Sequence, residues 1–320
     1  MPIILITAIG SFSAKTVINK LKGVHYIIGT NIYPHNWIPE SLLVDKFYQV
    51  SPVADREKYL SEIINICKQE NVDYIVPLTD VEIDLLNEKR EQLPCELAIS
   101  PFHTIKLLRD KFKLYKYVDE ILDQFPNIMT IPTYKLTFEH IQQIQYPQVW
   151  KIYNGRSSEG LYRIYDKYNS EEIYRHLYNQ KSLDNYIMQP LIEGDVVTVD
   201  LVADMYGNII SLPRRELLRT QNGAGLSVRI YKDEQLDCAV RKIAIETKII
   251  GCVNFEFICK NKKYYFLECN PRFSGGIAFS CAAGYDFINA HIKSIAKQKI
   301  QPVSHIRRGF IAKQYEEVWM

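Results

Sequence analysis

The chain opens on an apolar, largely β-branched run, Ile3 to Thr7, of the kind a parallel sheet buries on both faces. Gly10 then turns it into Ala14–Leu21, whose apolar positions fall at helical spacing. Tyr26–Gly29 predicts a second strand. Glu57–Glu70 predicts a helix, with Tyr59, Leu60, Ile63, Ile64 and Cys67 along one stripe. Tyr74–Pro77 predicts a third strand, Val81–Arg90 another helix and Leu97–Ile99 a fourth strand. Alternating strand and helix predict an open parallel sheet covered by helices, an α/β N-terminal domain over residues 1–100.

From Ser100-Pro101 the texture changes. Thr104–Leu122 reads as one long helix that ends before Phe125-Pro126-Asn127. Beyond Trp150 short strands dominate, separated by polar, glycine-bearing loops at 154–160, 193–195, 207–208 and 222–225. This predicts an α+β, mostly antiparallel region in two lobes, residues 101–187 and 188–320.

With 320 residues there is room for two domains, and 47% hydrophobic with 24% charged residues is globular rather than disordered composition. Lys+Arg 39 against Asp+Glu 37 leaves +2, so no global basic field points to nucleic acid. An anionic ligand must be held by a local cluster of charge. No apolar run approaches the ~20 residues of a membrane span, and Met1-Pro2 leads into the first strand without a basic n-region. The expectation is a cytoplasmic protein that engages neither membrane nor nucleic acid. Seven cysteines without CxxC spacing predict reduced, structural thiols.

Two phosphate-binding patterns fail at the first strand. The P-loop needs glycines where Ile9 and Ala14 stand, and Gly10 is a lone glycine where the dinucleotide fingerprint needs three. The stronger chemistry lies in Glu268-Cys269-Asn270-Pro271-Arg272. Alternation along a strand puts Glu268 and Asn270 on one face. A hairpin loop at Asn261-Lys262-Lys263 would set Glu256, on the preceding strand, opposite Glu268. Two carboxylates and an amide oxygen suit Mg²⁺, a hard cation that is commonly shared with phosphates. Lys151 lies in a second predicted strand, followed by Asn154-Gly155-Arg156-Ser157-Ser158-Glu159-Gly160, a loop able to fold N–H groups and hydroxyls over phosphate oxygens. Tyr186–Ile192 reads as an apolar strand suited to an adenine slot, with the acidic turn Glu193-Gly194-Asp195 beside a ribose.

In this order the pieces resemble the ATP-grasp superfamily, in its carbamoyl-phosphate-synthase-like branch, over most of the chain. The resemblance implies a Rossmann-like pre-ATP-grasp domain followed by a two-lobed ATP-grasp domain. It implies that Lys111 and Lys151 hold phosphates under a flap carrying Ser157, Ser158 and Gly160. Gln189, Pro190 and Ile192 would line adenine. The family's usual glutamate after the Gly-acid pair is Val196 here, so Asp195 or Glu193 must serve the ribose. Glu256, Glu268 and Asn270 would hold Mg²⁺ or Mn²⁺, and Arg272 would meet the transferring phosphoryl group.

The implied reaction is attack of a carboxylate on ATP to give an acyl phosphate, which an amine or ammonia captures. The substrates would be small molecules, and a homodimer is within the expected range. A single-module carbamoyl-phosphate-synthase-like enzyme and a catalytically idle ATP-binding module are the alternatives. Arg215 and Arg219, beside the glycine loop at 222–225, and Thr79 with Asp80, at the end of a first-domain strand, are the candidate substrate contacts. The seven histidines are scattered and read as structural.

Overall fold

In the structure, a computed structural model, residues 1–155, 159–220 and 223–320 are described. Strands β1 (Ile3–Ile6), β2 (Tyr26–Asn31), β3 (Lys46–Gln49), β4 (Tyr74–Val76) and β5 (Glu96–Leu97) form one sheet in the order β3-β2-β1-β4-β5. Every pairing in it is parallel. Helices α1 (Ala14–Leu21), α2 (Arg56–Glu70) and α3 (Asp80–Glu88) alternate with the strands. Ile4 and Ile6 enter the core that contains α1, while Leu5 enters the core that contains α2. This two-sided burial is why the first strand is continuously apolar. β3 has no such run: it is a half-buried edge strand, and its sequence, Lys-Phe-Tyr-Gln, carries no strand signal.

The long helix expected over Thr104–Leu122 is two helices, α4 (Phe102–Leu108) and α5 (Lys111–Leu122). Asp110 ends the continuity. Its side chain accepts from the Lys113 N–H at 3.0 Å and caps α5, a use of aspartate that competes with helix continuation. The break turns Arg109 toward the first domain, where it holds Asp84 bidentately at 2.8 and 2.9 Å.

A four-stranded antiparallel sheet follows. It comprises β7 (Tyr134–Lys135), β8 (Gln148–Ile152), β9 (Tyr162–Ile164) and β10 (Tyr186–Pro190) in the order β7-β10-β8-β9. Helices α6 (Phe138–Gln143) and α7 (Lys167–Asn179) accompany it, and its core surrounds the fully buried Trp150.

The largest sheet has seven strands, in the order β16-β13-β12-β11-β14-β15-β6. They are β6 (Ile128–Thr130), β11 (Asp195–Ala203), β12 (Ile209–Arg219), β13 (Gly225–Ile230), β14 (Gly251–Lys260), β15 (Lys263–Asn270) and β16 (Gly309–Ala312). Although Leu108, Leu114 and Ile128 fall in the 101–187 stretch, they pack into this sheet's core, and β6 pairs with β15. Val197, Val199 and Leu201 face α5 and α8 (Glu234–Glu246), whereas Val202 and Cys252 face α9 (Ile277–Ala282) and α10 (Phe287–Ile295). Polar residues interrupt this second face at Thr198, Asn254 and Glu256, where it meets a cleft instead of a helix, and at Asp200, which accepts from Ser280 of α9 at 2.6 Å.

His291 of α10 ties the first domain to the seven-stranded sheet. Its Nδ1 accepts the Cys252 N–H at 2.8 Å, and Nε2 faces the Ala98 carbonyl at 3.0 Å. Burial holds its pKa down at about 4, against an ordinary value of 6.5. Between these values the unfolded chain binds the extra proton, so stability rises with pH through this window. Loss is expected as pH falls from 6.5 toward 4, on the order of 3 kcal/mol from this site. In urea unfolding across that range the loss of stability should be smaller in His291→Leu than in the wild type by about that amount; an unchanged slope would remove His291 as a source of it.

Candidate functional site

The cleft has a volume of about 1030 Å³ and is walled by the four-stranded and seven-stranded sheets and, from the first domain, by the loop Gly10–Ser13 after β1 and residues 78–81 after β4. Its floor is the polar half of one face of the seven-stranded sheet. Cross-strand register puts Arg214, Thr198, Glu256 and Glu268 in one row, with Asp200, Asn254 and Asn270 in the next. Facing carboxylates on neighbouring strands repel one another. Burial and then Glu268 push Glu256 up to about 7. Burial also opposes the charge on Glu268, but Lys111 and Lys151 outweigh it and hold that carboxyl below the usual range.

Cations come from elements on every side. Lys111, at the start of α5, reaches Glu268 at 3.4 Å and donates to the Gly155 carbonyl at 2.6 Å. Arg219 lies 3.3 Å from Glu256. Lys151, on β8, is buried, and burial brings its ammonium down to about 8; it donates to the Tyr115 hydroxyl at 2.8 Å. Arg272 is gripped by Asp80 across the domain boundary, through Nε at 3.2 Å and Nη2 at 2.9 Å. Burial alone would raise the Asp80 pKa, yet Arg272 and Arg109 hold it low.

The Glu256–Glu268 register has a different origin from the one expected. The hairpin turn is two residues, Asn261 and Lys262, both at positive φ, with Lys260 opposite Lys263. That turn alone would set Glu256 against Leu267. A bulge at Leu267 restores the pairing with Glu268, and the Tyr115 hydroxyl donates to the displaced Leu267 carbonyl. Tyr115 thus holds both the bulge and Lys151.

The cleft brings together Lys111, Lys151, Gln189, Pro190, Ile192, Glu193, Arg219, Glu256, Glu268, Asn270 and Arg272, with Thr79 and Asp80 from the first domain. Gln189 is buried and donates to Thr133 Oγ1 at 2.7 Å. Ser157 and Ser158 lie outside the described residues. Gly160 is not in the cleft wall: it takes a left-handed turn, φ 63°, packed on Ile152 and Tyr186. Asp195 and Arg215 are also absent from the wall, pairing with each other at 3.2 Å between β11 and β12. Of the two acids considered for a ribose, Glu193 remains.

Strand parity explains why Arg215 and Arg219 part company. Arg215 has the parity opposite to Arg214 and Glu216, which face the cleft. Arg219 shares the parity of Arg215, but register irregularities between Glu216 and Arg219 bring it back to the cleft side. The residues sequence reasoning missed are Arg109, Tyr115, Arg214, Glu216 and Asn254. Asn254 carried a signal, since it alternates with Glu256. Arg109 and Tyr115 act through tertiary contacts and carried none.

Among the described residues no three His, Cys, Asp or Glu side chains lie so that together they could hold a metal ion, so a cation here would be held by two carboxylates together with amide oxygen. The donor set fits a hard divalent ion: two close carboxylates, one with its charge disfavoured by the other, are what such an ion relieves. Asn270 turns its Nδ2 toward Glu268 at 3.1 Å, and a ligating amide would present its oxygen instead.

Comparison with known proteins bears on the fold. Residues 182–318 match the family model described as ATP-grasp in the biosynthetic pathway with Ter operon, and residues 4–97 match the PylC-like N-terminal domain. The carbamoyl phosphate synthase large chain of Clostridium acetobutylicum is 20% identical over 250 residues, 74% of this chain and 23% of that protein. The chain thus spans about a quarter of the length of that relative. Among solved structures, the biotin carboxylase β,γ-ATP complex from Campylobacter jejuni superposes with a TM-score of 0.80 at 18% identity, covering 96% of this chain and 74% of that one. The biotin carboxylase domain dimer of Hydrogenobacter thermophilus 2-oxoglutarate carboxylase, with MgADP, ADP and bicarbonate, gives 0.80 at 19%, covering 96% and 73%. The fold is therefore a parallel-sheet N-terminal domain followed by an ATP-grasp domain.

Asp80→Asn leaves the Arg272 and Arg109 guanidinium groups with one counter-charge fewer. The expected loss is about 2–4 kcal/mol in urea unfolding at neutral pH, below the largest values for buried pairs because Arg272 keeps some contact with water and Arg109 keeps Asp84. A change within about 0.5 kcal/mol, typical of surface substitutions, would show that the pair does not join the domains energetically.

Proposed function

We propose that this chain is an ATP-dependent ligase that activates a small-molecule carboxylate as an acyl phosphate and joins it to an amine or ammonia. The observation that carries the reading is the floor of the cleft. Glu256 faces Glu268 there, and Lys111, Lys151, Arg219 and Arg272 surround them on an ATP-grasp fold.

Glu256, Glu268 and Asn270 would hold Mg²⁺, which when bound supplies positive charge against triphosphate oxygens. Lys111, Lys151, Arg219 and Arg272 are each engaged by a protein group in the free chain, and each has a role once anionic phosphate is present. Lys111 would be freed from Glu268, and Arg219 from Glu256, if those carboxylates held a cation. Lys151, whose ammonium burial brings down to about 8, gains a counter-charge beside a phosphate, where its desolvation is compensated. Arg272 stands past Pro271 with Asp80 fixing its fork, so it can stabilise charge developing on the transferred group without reorganising. The apolar strand end Pro190 to Ile192 offers an adenine edge, and Glu193 offers a ribose acceptor. MgADP in the Hydrogenobacter neighbour, on the same fold, supports the nucleotide, and the dimer seen there supports testing for a homodimer.

The reading is tested by ADP release from Mg-ATP across a matrix of carboxylates and amines. Release that requires a carboxylate and rises with an amine is expected; ATP binding with no such release across the matrix would make the chain an idle nucleotide-binding module.

Glu268→Gln changes charge with almost no change in volume. It is expected to reduce Mg-dependent turnover more than about tenfold, with the fold intact by circular dichroism, since a tenfold loss is only ~1.4 kcal/mol. A variant retaining more than that fraction would remove Glu268 as a principal ligand. Arg272→Ala is expected to lower kcat on the order of 100-fold and ATP affinity less than about tenfold. Equal losses in both constants would make Arg272 a ground-state binding residue.

A further inference from the structure

Glu216 is a cleft-wall residue that none of these steps uses. It lies on β12 two residues beyond Arg214, with its side chain only 3% exposed. One carboxylate oxygen, Oε1, is fully engaged: it accepts from Thr198 Oγ1 at 2.9 Å and Arg214 Nε at 3.0 Å. The other, Oε2, is buried and has no hydrogen-bond partner among the described residues. The neighbouring strand carries Gly225 at this point, where any Cβ would overlap Oε2, so the glycine keeps this oxygen uncovered by a side chain.

An unsatisfied buried carboxylate oxygen is costly, and such an atom calls for a ligand as its explanation. An ionised carboxylate only accepts, so the missing partner must donate. Arg214 does not supply the donor, since its remaining nitrogens go to Asp200, Ser274 and Ser280. Nor does Lys313, whose Nζ donates to the Gly275 carbonyl at 3.2 Å. With Asp200 and Glu216 both bound to Arg214, the triad carries one excess negative charge. A divalent metal would want further acids here, and among the described residues no third one converges.

We propose that Glu216 Oε2 receives the amino group of the amine substrate. This deepens the ligase reading and rests on it, because the nucleophile must enter the cleft in which the carboxylate is activated. The charge requirement favours a primary amine that arrives as ammonium.

The test uses the full chain with Mg-ADP and a panel of ammonium chloride, primary alkylamines, polyamines and the standard amino acids. At least one amine should raise the Tm of the wild type, and its apparent Kd should weaken at least about tenfold in Glu216→Gln, the loss of one charge-assisted hydrogen bond. Gly225→Ala should weaken the same amine by crowding Oε2 without altering charge, and serves if Glu216→Gln does not fold. No stabilising amine for the wild type, or equal affinity in the variants, overturns the site. Carboxylate-dependent positional isotope exchange in ATP needs no amine and reads the ligase proposal separately. Its absence from the wild type while an amine binds through Glu216 would overturn the reaction and leave the amine site standing.

Discussion

A carboxylate taken out of water must find a cation or give up its charge, and this constraint organises the cleft. Asp80, Glu256 and Glu268 approach one another from the first domain and two strands of the seven-stranded sheet. They remain compatible because Arg272, Arg109, Arg219, Lys111 and Lys151 are interleaved among them. Those cations come from a strand end, two helix boundaries, an irregular strand and the small sheet. The site therefore exists only when all three sheets are assembled, and its charges are part of what holds them in place.

The same groups suit phosphate chemistry because their partners are exchangeable. An ion pair between a protein lysine and a protein carboxylate is close in energy to one in which each has moved to a ligand of opposite charge. Lys111 and Glu268, at 3.4 Å, are separated by more than a tight hydrogen-bonded pair would be. Arg272 differs, held by two hydrogen bonds to one Asp80 oxygen and by the Phe273 carbonyl. The contrast separates side chains that can change partners from one that is held in its orientation. Arg214 is held still more firmly, with Asp200, Glu216, Ser274 and Ser280 around it, and it anchors the Ser274–Gly276 loop to the sheet.

Local irregularities decide what the regular lattice would get wrong. A perfect hairpin closed by the turn Asn261-Lys262 would pair Glu256 with an apolar leucine, and the bulge at Leu267 corrects it. A perfect β12 would point Arg219 away from the cleft, and its break in register corrects that. Both devices sit where one extra or misplaced residue changes which face a charge occupies.

Much was legible in the sequence because it depends on local order. The continuous apolar run of β1, the helical stripe of α2 and the alternation of Glu268 with Asn270 follow from backbone periods, which any window of the chain displays. The ATP-grasp resemblance was legible because its motif residues are close together along the strand Phe266–Asn270 and its exit. The split at Asp110 was written in the sequence as a capping residue, but a helical stripe on either side concealed it. Tertiary structure alone decided that Asp80 grips Arg272 across 192 positions of chain, that Tyr115 supports the bulge and Lys151, and that Asp195 turns to Arg215 rather than into the cleft. Those pairings depend on how three sheets meet. A pairing of this kind leaves no period in the chain, because its two halves are brought together by packing elsewhere.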